Sequence, residues 1–169
     1  MNNQASLDKL VGKSLIYSYA CSPFIKRLFE ADKNLEQKSI EHISHPFSRQ
    51  EMESWLDSKK TLNEIDLNKS LRKLRQYVIA NIILRDLNQL AHLDEVLKSV
   101  TALAEVVLNH AHQFHFEALK SMHGSPIGFN GEEQHLSIVG MGKLGGEELN
   151  VSSDIDLIFA YPEIGRAHV

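Results

Sequence analysis

Residues 136–161 read LSIVGMGKLGGEELNVSSDIDLIFAY, and the order of features within them decides the fold. A short apolar run, Leu136 to Val139, leads into a cluster of glycines at positions 140, 142, 145 and 146, and a second run, Ile155 to Tyr161, follows. Both runs have the length and the branched or aromatic content of strands. Gly140, Gly142 and Gly145 satisfy G-x-G-x-x-G directly after a strand, the pattern of a dinucleotide-binding turn. Length rules against that reading. A parallel return strand needs a crossover of about a dozen residues or more. Only seven residues, Glu147 to Ser153, separate Gly146 from Asp154, and they include the turn-like Asn150, Val151, Ser152 and Ser153. A Walker-type phosphate loop fails as well, because no G-K-[ST] follows at the required distance.

The acidic pair Asp154 and Asp156 gives the better reading. Residues i and i+2 of a strand point to one face, so the two carboxylates are expected to project together from the start of a buried strand. Adjacent anions repel unless a cation lies between them, and hard oxygen ligands select Mg²⁺ or Mn²⁺. A glycine turn beside them can bring backbone N–H groups to a phosphate without side-chain obstruction. Glycine turn plus D-x-D therefore points to metal-assisted phosphoryl or nucleotidyl transfer. A D-x-D standing alone would more commonly be a turn or a helix cap.

Upstream the chain changes character. Seven of the nine glycines lie between Gly124 and Gly146 and none lies in residues 13–123, so the amino-terminal portion is expected to be helical. Leu67, Leu71, Leu74, Val78 and Ile82 form one stripe at helical spacing, with Lys69, Arg72, Lys73 and Asp86 largely off it. A second long helix is expected from Asp94, read as its cap, along a seam of Leu97, Val100, Ala104, Val107, Ala111, Phe114 and Ala118. The short joint at Leu90 to Leu93 predicts an antiparallel hairpin of the two. Shorter helices are expected over 6–21, 24–31, 35–43 and 48–60, punctuated by Pro23 and Pro46. The fold class is therefore α+β: a helical region over 1–123, a connector over 124–135 and the first strands of a catalytic domain over 136–163.

The 169 residues carry a net charge of -4 and a pI near 6.1, which argues against a partner held by bulk attraction to nucleic acid. A single cysteine, Cys21, cannot form an internal disulfide and fits a reducing, cytoplasmic setting. The amino end lacks the apolar core of a signal peptide, and the most apolar window, Tyr77 to Leu84, is short and contains Asn81, so no membrane span is expected.

GMGKLGGEELNVSSDIDLIF closely resembles the signature of bacterial glutamine synthetase adenylyltransferase/adenylyl-removing enzymes, members of the DNA polymerase β-like nucleotidyltransferase superfamily. The match is near-continuous over Val139 to Glu163, and LRKLRQYVIANIILRDL, Leu71 to Leu87, agrees more loosely. The commonest superfamily turn is Gly-Ser; here Gly142-Lys143 stands in its place, with ten residues intervening before Asp154. The family enzyme carries two such catalytic domains, and ELNVSSDIDLIF resembles the first, which removes AMP from a tyrosine of glutamine synthetase by phosphorolysis to yield ADP. The resemblance implies that Asp154 and Asp156 are catalytic and hold Mg²⁺. It also implies that Gly142, Lys143, Gly145, Gly146 and Ser153 contact phosphate or nucleotide, with ATP, ADP and phosphate as substrates or products. Glutamine synthetase is the implied partner, with glutamine and a PII-type signalling protein as regulators. The rival readings are another nucleotidyltransferase of the superfamily, such as a PII uridylyltransferase, and a non-catalytic helical regulatory module.

The superfamily takes a third carboxylate from a later strand, and none follows here. The last residues, IGRAHV from Ile164 to Val169, are what a common sequencing-adapter sequence would encode, so 164–169 reads as a non-native tail on a piece of a longer protein whose isolated activity is expected to be small. His110, His112 and His115 lack metal-site spacing on a helix and read as structural or surface residues. Lys69, Arg72, Lys73 and Arg75 form a basic group whose usual fate is a solvated helix face. Trp55 reads as a packing anchor, and Cys21 has no neighbouring histidine signature that would make it a nucleophile.

Overall fold

The computed structural model describes residues 15–162. The expected helix over 6–21 is therefore seen only from residue 15, where α1 runs over 15–21; its beginning and the 164–169 tail lie outside the described residues. The chain continues through α2 (Pro23–Ala31), α3 (Lys33–Glu41), α4 (Arg49–Asp57), α5 (Glu64–Leu87) and α6 (Leu93–His123). Then come β1 (Ser137–Gly140), the single turn α7 (Gly142–Gly145) and β2 (Leu157–Ala160). The architecture is α+β, as the glycine distribution implied.

Local chemistry sets the helix starts. Ser22 accepts a hydrogen bond from Ile25 N with Pro23 at the first helical position, and Asp32 caps α3 through Leu35 N. Ser48 and Glu51 form a reciprocal capping box on α4. Asn63 caps α5 through Asp66 N. Asp94 does not cap α6. That helix begins one residue earlier, with His92 in the cap position making no side-chain bond, and Asp94 sits in the first turn, where its charge still favours the helix dipole.

Helix α5 is the centre of the molecule. The stripe from Leu67 to Ile82 is buried at Leu67, Leu74, Val78 and Ile82, but so are Tyr77, Ile79, Ala80, Asn81, Leu84 and Arg85. The second half of α5 is thus covered on all sides, by α3, α4 and α6. On one flank Met52 and Leu56 of α4 meet Leu74, Val78 and Ile82 of α5 and Val100, Leu103 and Val106 of α6. On another, Ile25, Phe29 and Leu35 meet Tyr77, Ala80 and Leu84. The α6 seam is turned relative to the expected one. Val100 is buried, but Leu103 and Val106 sit deeper than Ala104 and Val107, because α6 packs on α4 as well as α5. The α5–α6 hairpin closes at its joint through Arg85 and Glu95.

The connector is ordered by its own hydrogen bonds. Gly128 N donates to Glu132 O and Gln134 N to Pro126 O, an isolated antiparallel bridge pairs Ile127 with Glu133, and Lys120 ion-pairs with Glu133 at 2.7 Å. The strands β1 and β2 are antiparallel, with Ser137 opposite Ala160 and Gly140 opposite Leu157. Antiparallel pairing of the two strands excludes the parallel crossover that a dinucleotide fold requires.

Candidate functional site

The site begins where β1 turns. At Gly142 the backbone reverses into α7 with φ +54°, a left-handed conformation that glycine adopts without a Cβ penalty. Three residues later the chain passes so close to its own strand that a Cβ on Gly145 would lie 2.5 Å from Gly140 O. Only glycine fits there. Leu144, between them, is buried and joins the α4–α5–α6 core together with Leu149; Val151 and Leu157 pack against the same cluster. The glycine turn is therefore nailed to the helical region by apolar side chains on both sides of it.

The return segment is pinned with equal economy. Asn150 Oδ1 accepts from Ser152 N and Ser152 Oγ, both at 3.1 Å, and Ser153 N donates to Asn150 O at 3.1 Å. Ser153 Oγ accepts from Asn150 N at 3.3 Å. Asp156 O then accepts from Met141 N at 2.9 Å, which extends the strand pairing one residue beyond its regular limits and sets Asp156 against the glycine turn. A Cβ on Gly142 would lie 4.0 Å from Asp156 Oδ2.

Two expectations about this segment need correction. Asp154 and Asp156 are not on β2 but immediately before it, and neither they nor the strand is buried: Ile158 and Phe159 are 50% and 57% exposed. The surface is open because no further strand or helix covers this side of the sheet among the described residues. The alternation is nevertheless visible. Ser153 and Ile155 line a groove of about 700 Å³ against α5 and α6, while Asp156 lies on the opposite side, by Gly142.

Of the glycine-turn amides, those of Gly145 and Gly146 donate to Met141 O and Gly142 O. The N–H groups of Gly142 and Lys143 have no acceptor among the described residues. The Lys143 side chain is exposed. The exposed Asp156 carboxylate beside two unpaired amides and a lysine offers hard oxygen donors and hydrogen-bond donors on one small patch, suited to a cation-bound phosphate.

The remaining candidates fall elsewhere. Arg72 and Arg75 line the groove behind the acidic segment, and Lys73 ion-pairs with Asp32, whose carboxyl it holds below the usual range. His112 lies by Phe116 and His115 by Phe114 on the outer half of α6. Trp55 packs edge-on to Tyr77, with Lys59 over its ring. Cys21 is exposed. No described helix is long and apolar enough to cross a membrane. Sequence reasoning passed over His42, His45 and Glu51, which the structure gathers into one cluster; their H-x-x-H-x₅-E spacing across a helix start was the signal available.

Comparison with known proteins adds a second line. The family profile described as glutamate-ammonia ligase adenylyltransferase matches residues 12–168. A protein of Nitrosomonas eutropha named bifunctional glutamine synthetase adenylyltransferase/adenylyl-removing enzyme is 45% identical over 150 residues, covering 86% of this chain and 16% of its own length. One of the same name from Aromatoleum aromaticum is 40% identical over 153 residues, covering 90% and 16%. Another, from Neisseria meningitidis serogroup A, is 51% identical over 104 residues, covering 61% and 12%. The chain thus spans 16% or less of the length of these relatives.

Proposed function

The chain belongs to the glutamate-ammonia ligase adenylyltransferase family, and on that premise we propose that it is part of the adenylyl-removing domain of a bifunctional enzyme acting on glutamine synthetase. The reaction is phosphorolysis. An oxygen of inorganic phosphate attacks the phosphorus of AMP-tyrosine, the bond from phosphorus to the tyrosyl oxygen breaks, that oxygen takes up a proton, and ADP leaves. The observation that carries the reading is the placement of the Asp156 carboxylate beside Gly142; Asp154, two residues earlier, is the second carboxylate of the reading.

Two exposed carboxylates fit magnesium, an ion that takes one or two carboxylates together with waters and substrate phosphates. When bound, it supplies charge neutralisation at the phosphates. Asp154 and Asp156 hold it. The Gly142 and Lys143 amides bind phosphate oxygens, and the Lys143 ammonium adds a mobile positive charge. Gly145 and Gly146 shape the turn, and Ser153 fixes the Asn150 loop that presents the acidic pair. Rigid placement is what these residues contribute, because phosphoryl transfer leaves the protein little to do beyond positioning and electrostatics. Glutamine synthetase is the protein substrate, with a PII-type signalling protein and glutamine as regulators of the whole cytoplasmic enzyme.

The test uses the complete enzyme that carries this segment. Asp154→Asn should lower ADP release from adenylylated glutamine synthetase by at least about a thousandfold, as expected for loss of a metal-holding carboxylate. Incorporation of AMP from ATP should stay within about threefold, since that reaction belongs to the other catalytic domain. Loss of AMP incorporation with phosphorolysis intact would assign this copy of the motif to attachment instead.

A further inference from the structure

The loop between α3 and α4, HISHPFS over residues 42–48, is held from beneath by the central helix. Asn81 Nδ2, buried in α5, donates to His42 O at 2.9 Å and to His45 O at 3.4 Å. Arg85 Nη1 donates to Ile43 O at 2.7 Å. The His42 ring is stacked on Phe47 at 3.8 Å between centroids and lies 4.1 Å from the His45 ring. This bracing converges three side chains. His42 Nε2 lies 3.2 Å and His45 Nε2 3.7 Å from the same oxygen, Glu51 Oε1, and one ligand atom from each residue falls within 4.8 Å of the other two.

Those separations can be compared with a coordination sphere. Zinc bound at 2.0–2.1 Å in tetrahedral geometry keeps neighbouring ligand atoms roughly 3.3 Å apart. Both nitrogen-to-oxygen distances are near that value. The nitrogen-to-nitrogen distance closes by rotation of His45, whose side chain is 55% exposed. The carboxylate is prepared for the role. The Ser48 hydroxyl and backbone N–H both donate to Glu51 Oε2, which leaves Oε1 facing both imidazoles. Among the described residues this is the one group of three ligand-type side chains with such proximity.

We propose that His42, His45 and Glu51 form a binding site for a borderline divalent transition-metal ion, with zinc the favoured occupant and water completing a four-coordinate shell. Two imidazoles and one carboxylate are the donor set that suits zinc over magnesium or calcium. The ion would tie the α3–α4 loop to the start of α4 and, through Asn81 and Arg85, to the central helix. The site is distinct from the acidic pair before β2, and its occupancy is independent of the phosphorolytic reading.

The test is metal binding to the full chain after chelator treatment. Calorimetric titration with zinc should give one site per chain, cobalt(II) in its place should give the intense visible absorption of four-coordinate cobalt, and zinc should raise the melting temperature. His45→Ala removes an exposed ring and should leave the helical circular dichroism unchanged while weakening zinc binding by at least about tenfold. The double variant His110→Ala with His112→Ala should bind as the wild type does. Zinc binding undiminished in His45→Ala, or the absence of the four-coordinate cobalt spectrum, overturns the proposal. Should His45→Ala unfold, Glu51→Gln answers the same question, because the amide oxygen preserves the helix cap and the ligand charge is gone; full-strength zinc binding by that variant also overturns it.

Discussion

At the scale of single residues, the glycine turn is the least forgiving part of the molecule. A methyl group on Gly145 would meet the carbonyl of Gly140 at 2.5 Å, and that carbonyl belongs to a paired strand and cannot swing aside. Gly145→Ala should therefore destabilise the chain by about 1–3 kcal/mol, the usual range for forced overpacking, measurable as a lowered urea midpoint. Gly146→Ala is the matched control: its nearest neighbours would lie at 3.5 Å or beyond, and its midpoint should scarcely move. Glu51 makes a different residue-scale prediction. Its carboxyl is lowered from 4.5 to about 2, chiefly by the Ser48 hydroxyl and then by the Ser48 backbone N–H. A depressed carboxylate contributes stability that is complete above the unfolded value and is lost as pH falls through the folded one. The midpoint should accordingly decline between about pH 4.5 and pH 2. Ser48→Ala, which costs about 1 kcal/mol at neutral pH through the lost cap, should flatten that decline; an acid limb identical to the wild type would refute the assignment.

At the scale of elements, α5 accounts for both what the sequence made legible and what it concealed. Its apolar stripe and the α6 periodicity announced a helical hairpin, since spacing of three and four is a local property of the chain. The glycine cluster and the short D-x-D return spoke against a dinucleotide crossover for the same reason, without saying how the two strands pair. What spacing along one helix cannot reveal is how many neighbours that helix has. Tyr77, Ile79, Asn81 and Arg85 lie off the expected stripe and are buried because α3, α4 and α6 enclose α5 from several directions. Two of these four are polar, and each has a distant task. Arg85, 6% exposed in its side chain, makes a two-pronged contact with Glu95 at 2.8 and 2.9 Å and donates to Ile43 O and Leu90 O. One side chain thus closes the α5–α6 joint and holds the α3–α4 loop. Arg85→Met keeps the stem packing but strands Glu95 and two carbonyls, so it should cost about 3 kcal/mol, in the range for breaking a buried pair from one side. Glu95→Gln, which retains hydrogen-bonding capacity on the more exposed partner, should cost clearly less; equal losses in the two variants would show that the charge itself, rather than the bracing of the loop, dominates.

At the scale of the whole molecule, the helical region and the acidic turn share one core, while the sheet presents an open face. Leu144 and Leu149 enter the α4–α5–α6 cluster and Leu157 leans on it, yet on the opposite face of the sheet the cross-strand partners Val139 and Ile158 remain 45% and 50% exposed. Two four-residue strands are marginal by themselves, so the helical core must be what keeps them in register. The candidate site follows the same division: the expectation that Asp154 and Asp156 project together rests on alternation alone, whereas their exposure depends on what covers the sheet, which no local pattern encodes. This apolar face adjoins Asp156 and is of the kind that partner surfaces cover, in a chain spanning 16% or less of the length of its relatives. The purified 169-residue chain should therefore give a strongly helical circular dichroism spectrum, bind a hydrophobic dye, and release no ADP from adenylylated glutamine synthetase above background. Ile158→Lys discriminates the cause. In the 169-residue chain it should reduce dye binding and leave the thermal midpoint nearly unchanged, because the side chain contributes little to the existing core. In the complete enzyme the same substitution would bury a charge and should lower both stability and phosphorolysis. A brisk phosphorolysis rate from the short chain, or a complete enzyme indifferent to Ile158→Lys, would mean that this face is solvent-exposed in the working enzyme and that the two acidic residues act without further cover.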